Sequence, residues 1–129
     1  MAAGQTFAPS LSDIEALARR AIEELPPTFR QLLDGVLLRI EDFPDAEVIA
    51  EMGLESPFDI LGLYQGRSIA AEAVTGAMPD IVFLYRRPIL DEWADGGESL
   101  EALVTHVLVH EVGHHFGLSD EDMERIEAS

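Results

Sequence analysis

An α+β domain, or an α/β one, is what this sequence predicts, and three observations carry that reading. The chain opens on an amphipathic helical pattern, "SLSDIEALARRAIEELPP". It holds one outstanding strand pattern, "DIVFLYRRP", and it closes on a segment near residues 98 to 116 that is apolar on almost every side of a helix. A small mixed sheet of about three strands, with an N-terminal helix and a buried C-terminal helix packed on it, accommodates all three.

In the first segment Ile14, Leu17, Ala18, Ala21, Ile22 and Leu25 recur at helical spacing. Ser12 followed by Glu15 has the capping-box pattern, and Pro26 and Pro27 stop the helix. "TFRQLLDG" predicts a further helical turn broken at Gly35, and "VLLRIEDFP" a strand closed by acidic residues and Pro44. Residues 44 to 60 read as loop with one short helix over Ala46 to Met52. "ILGLYQG" reads as a short strand, and "RSIAAEAVTGAMPD" as a surface loop. Ile81 to Tyr85 are apolar, β-branched or aromatic and bounded by Pro79 and Pro88, which predicts a strand. "ILDEWADGGES" reads as a connection to two final helices, about Glu98 to Phe116 and Ser119 to Glu127.

Length and composition narrow the function classes. The 129 residues predict one domain spanning 1–129, with 1–9 as a disordered leader. With no cysteine, disulfides and thiolate metal sites are excluded, so any metal must take nitrogen and oxygen ligands. A cytoplasmic setting is the expectation, since no export signal and no membrane-spanning run of apolar residues is visible. The formal net charge is −17, and all 8 basic residues are Arg. Such a balance repels phosphate backbones, so nucleic acid is not the expected partner; it favours basic ligands, or reflects solubility alone.

The last long helix raises the chemical question. Leu100, Leu103, Val104, Val107, Leu108, Val109 and Val112 spread around most of its circumference, leaving a narrow sector near Glu101 and Thr105 for water. A helix of that kind belongs inside the domain. Polar side chains on it need partners, because each one buried unpaired costs about 1–3 kcal/mol. Yet it carries all 4 histidines of the chain.

His110 and His114 are four apart, hence on one face and one turn apart, able to reach one ion. Glu111 leans toward the side where a metal-bound water would sit. The pattern is H-E-x-x-H: two neutral imidazoles bind Zn2+, and the carboxylate is the general base that deprotonates the zinc-bound water. Gly117 can end the helix with positive φ, which lets Asp120 return as a third ligand. The competing reading of Asp120 is an ordinary acidic residue in the first turn of the next helix. His106 lies about 12 Å along the axis from His114, too far to share one tetrahedral ion, and takes a supporting role. His115 points about 100° away from His114 and reads as packing or as a contact behind the ligands. Tyr64, Tyr85 and Arg86 are candidates for orienting substrate or steadying an oxyanion, or else plain core and rim residues.

The extended motif, H-E-x-x-H-x-x-G-x-x-D, resembles the aspartate-terminated relatives of the metzincins. The whole chain resembles more closely the small bacterial family of predicted minimal zinc metallopeptidases, a zincin-like group. The stretches that carry the resemblance are "LGLYQG" at 61–66, "PDIVFLYR" at 79–86 and "HEVGHHFGL" at 110–118. The resemblance implies a minimal zincin-like fold and a peptidase activity with peptide or protein substrates. It also implies that "DIVFLYR" is an open edge strand able to pair with extended substrate. One departure stands out: metzincins place a methionine turn well after the third ligand, whereas Met123 falls too early and within a helical pattern. The rival expectation is a zinc-binding adaptor or regulatory domain with little or no proteolysis. A third, hydrolysis of a non-peptide amide, would use the same residues.

Overall fold

The computed structural model describes residues 7–66 and 79–128. Residues 1–6 of the expected leader and residues 67–78 of the surface loop expected over 67–80 lie outside the described residues. The described elements, in chain order, are α1 (Leu11–Glu24), α2 (Pro27–Leu32), β1 (Leu37–Glu41), α3 (Ala46–Met52), β2 (Gly62–Gln65), β3 (Ile81–Tyr85), α4 (Arg86–Asp95), α5 (Leu100–His115) and α6 (Asp120–Glu127). The expected α+β class holds: the described residues form six helices and a three-stranded mixed sheet in one small domain.

Helix α1 is capped two residues earlier than the sequence pattern predicts. Its cap is Ser10, whose hydroxyl accepts from the Asp13 amide while the Asp13 carboxylate accepts from the Ser10 amide. Ser12 with Glu15 satisfies the same spacing, but Ser12 lies inside the helix, past the position that a cap must occupy. The segment after β3 is a second correction. Arg86–Asp95 is a helix rather than a connection, since Pro88 falls in the first turn, where a missing N–H costs nothing.

The strand order is β1-β3-β2, with β1 parallel and β2 antiparallel to β3. Strand β3 is therefore central and has no open edge, contrary to the expectation for "DIVFLYR". Its near-continuous apolar run is what a strand paired on both sides and covered on both faces requires. The edge strands are β1 and β2.

Helix α5 joins the two halves of the core. Leu108, Val109 and Val112 pack with Ala21, Leu25, Phe29, Val82 and Met123, while Leu103, Val104 and Val107 pack with Ile14, Ala18, Leu84 and Ile89. A helix surrounded on this many sides is held in one position, and so is whatever its last turns carry.

Candidate metal centre

Ser99 caps α5, accepting from the Ala102 amide, and the helix ends in a left-handed Gly117 with φ 77°. The Leu118 amide reaches back to the Gly113 carbonyl at 2.8 Å, and the Gly117 amide to His114 at 3.2 Å, which is a Schellman closure. Ser119 then caps α6 through a capping box with Asp122. The short turn folds α6 back along α5, and Gly113 permits the close approach. A Cβ there would stand 2.9 Å from Met123 Cγ, and Met123 is fully buried.

The expected ligands converge. The donor atoms of His110, His114 and Asp120 lie within 4.8 Å of one another. His114 Nε2 is 3.9 Å from Asp120 Oδ1, and both side chains are open to solvent, 59% and 85% exposed. His110 is more enclosed. Its Nε2 is buried and has no hydrogen-bond partner; Glu127 Oε2 is 3.3 Å away but off the line that a hydrogen bond requires. A buried, orphaned imidazole nitrogen beside two further donors fits a zinc ion, which takes His nitrogens and carboxylate oxygens at about 2.0–2.2 Å.

Glu111 follows His110 into a cleft of about 210 Å³ lined by His106, His110, His114, Val107 and the Ile60–Gly62 segment. Burial raises its carboxyl above the ordinary carboxylate range, opposed in part by the nearby His114. Gly62 of β2 sets the width of this cleft. A Cβ on it would meet Val107 Cγ1 at 2.9 Å and Glu111 Cγ at 3.1 Å, so only glycine lets the edge strand lie this close to the helix. A larger hollow of about 340 Å³ lies between α1 and α5 and is lined by Glu24, Glu98, Glu101 and Glu127 among others.

The remaining candidates separate. His106 Nδ1 pairs with Glu127 Oε1 at 2.9 Å, and its ring lies 4.0 Å from that of His110. His115 turns away and stacks on Tyr64, with ring centroids 3.8 Å apart, while the Tyr64 hydroxyl donates to Asp80 Oδ2 at 2.7 Å. Burial first, and then Asp80, push the Tyr64 phenol up. Tyr85 is buried, and its phenol is pushed up to about 12, first by burial and then by the Asp45, Glu41 and Glu111 carboxylates. Arg86 is not brought to the cleft: its Nε donates to the Pro9 carbonyl at 2.6 Å and its guanidinium pairs with Asp42 at 3.1 Å. Glu127 and Gly62 are the residues sequence reasoning missed. Glu127 had a signal, since it lies seven residues after Asp120 and so two turns along the same helix face.

Fold and site together define a mixed α+β domain with a candidate cation site on a core helix. A sequence profile of the family described as zincin-like metallopeptidase matches residues 33–129. The chain belongs to that family. Among solved structures it is similar to a conserved hypothetical protein from T. thermophilus, with 29% identity and a TM-score of 0.53, covering 84% of this chain and 94% of that one. No curated protein matches. Among the described residues, no helix is long and apolar enough to cross a membrane.

Proposed function

We propose that the protein is a zinc-dependent peptidase, with His110, His114 and Asp120 as ligands and Glu111 as general base. The observation that carries this reading is the buried His110 Nε2 on a core helix, which makes no hydrogen bond although Glu127 Oε2 is 3.3 Å away, one residue from a carboxylate whose proton affinity burial has raised. Neither feature stabilises the fold. An orphaned buried polar atom costs about 1–3 kcal/mol, and a desolvated carboxylate adds to that cost. Both are accounted for by a bound cation and a proton-transfer role.

A bound zinc would supply a water of pKa about 7 and polarise a carbonyl. The residues of this chain do the rest. His110 and His114 present two imidazoles from one helix face; Glu111 accepts a proton from the attacking water and returns it to the leaving amine. Strand β2 is an edge beside Glu111, so an extended peptide can add to it through main-chain hydrogen bonds. The net charge of −17 favours basic segments, and added salt should slow their cleavage more than that of neutral ones.

Glu111→Gln tests the reading. The variant should keep one zinc per chain and lose cleavage of an unstructured peptide library. If wild type binds zinc yet cleaves nothing that the variant spares, the adaptor reading takes its place.

A further inference from the structure

We propose a second cation position, formed by His106, His110 and Glu127, which competes with the His114–Asp120 position for the single His110 side chain. The donor atoms of these three residues lie within 4.8 Å of one another, the same limit that His110, His114 and Asp120 meet. His110 belongs to both. The two other histidines stand one helical turn to either side of it, and each has a carboxylate of α6 opposite: Asp120 beside His114, Glu127 beside His106.

The Glu127 side is the better assembled of the two. Its carboxylate spans both imidazoles, with Oε1 2.9 Å from His106 Nδ1 and Oε2 3.3 Å from His110 Nε2. Glu127 is only 23% exposed, against 85% for Asp120. An ion pair between Glu127 and charged histidines would reach both rings, but only His106 gains a hydrogen bond from it; the buried His110 Nε2 is left without one. A cation between the three groups satisfies that atom and the carboxylate together. Two imidazoles and one carboxylate select a borderline transition ion of the zinc, cobalt, nickel or copper class, whereas calcium and magnesium require oxygen-rich sets.

A neutral imidazole has one ring nitrogen free to ligate, so the two positions exclude each other and the chain holds one ion at a time. An ion on the Glu127 side is withheld from His114. The partition between the two sides is a property of the chain itself, independent of the total metal supplied. Both positions concern cation binding alone and stand whether or not a peptide is hydrolysed.

Cobalt(II) binding to the metal-stripped full chain, followed by calorimetry and by the visible absorption of the bound ion, tests the second position. Wild type should take one cobalt. His114→Ala/Asp120→Ala, which alters two exposed residues and leaves the core intact, should still take one. Adding Glu127→Gln to that variant should weaken binding by at least about 10-fold. Glu127→Gln alone should shift the wild-type absorption, because all of the ion then moves to the His114 side. The proposal is overturned if His114→Ala/Asp120→Ala binds no better than His110→Ala, if wild type takes two ions, or if Glu127→Gln leaves the absorption unchanged. Loss of binding in His106→Ala/Glu127→Gln, with retention in His114→Ala/Asp120→Ala, would remove the Asp120-side site and leave this one standing.

Discussion

The two ends of α6 face the same histidine-bearing helix under opposite conditions. At its start, Asp120 is open to water and 3.9 Å from His114; at its finish, Glu127 is mostly enclosed and touches two imidazoles. The motif in the sequence points to the first end, and packing favours the second. Spacing rules locate a residue that can return to a site; burial decides which carboxylate is already held there. Met123, between them, fixes both by filling the space that Gly113 leaves.

The comparison breaks most completely at His110, which serves both ends. His110→Ala should weaken zinc binding by more than about 100-fold in competition with a chelator, beyond the range seen when only a group behind a ligand is lost. Retained affinity would show that neither end is a metal site. Next in size is Met123→Ala, which empties a fully buried position and should cost about 2–5 kcal/mol in denaturant unfolding. A cost near that of a surface change would mean that α6 is not anchored at its middle. Ser119→Ala removes the α6 cap and should cost about 1 kcal/mol. Amide exchange should then speed up around Asp120 and Asp122 far more than around Glu127; equal acceleration would erase the contrast between the two ends.

The smallest effect concerns Glu111 in the metal-free protein. Its folded carboxyl sits above the value of 4.5 that it has when solvated, so the folded state holds its proton more tightly than the unfolded state. The group's favourable contribution is therefore present below pH 4.5 and lost as pH rises through the folded pKa. Glu111→Gln, which stays neutral, should melt at a higher temperature than wild type at neutral pH, with the difference closing as pH falls to 4.5. A difference independent of pH would remove the desolvation account.

Much of this is legible in the sequence, for reasons that differ by element. The apolar circumference of α5 places the helix in the core, because no solvent-facing helix carries valine and leucine on so many sides; its last turns leave His110 and Glu111 half-buried and His114 open to solvent. Asp45 and Gly53 bracket the expected short helix with a cap and a left-handed stop. What escapes is decided by tertiary pairing. "DIVFLYR" reads equally well as an edge or a central strand, and only β1 and β2 on its two sides settle the matter. The competition between Ser10 and Ser12 for the α1 cap is a matter of two positions, which periodicity does not resolve. Glu127 is one more acid in a strongly acidic chain until α6 folds back onto α5.

The turn at Gly117 and the Met123 contact give α6 the mechanics of a lever. Asp120 and Glu127 are about 10 Å apart along a stiff rod, on either side of the buried Met123. Were the rod to tilt about Met123, Asp120 would approach His114 only as Glu127 left His110. Where an ion rests would then be recorded in the pitch of the last eight-residue helix, a motion that a spin label or fluorophore at its C-terminal end could follow without touching the site.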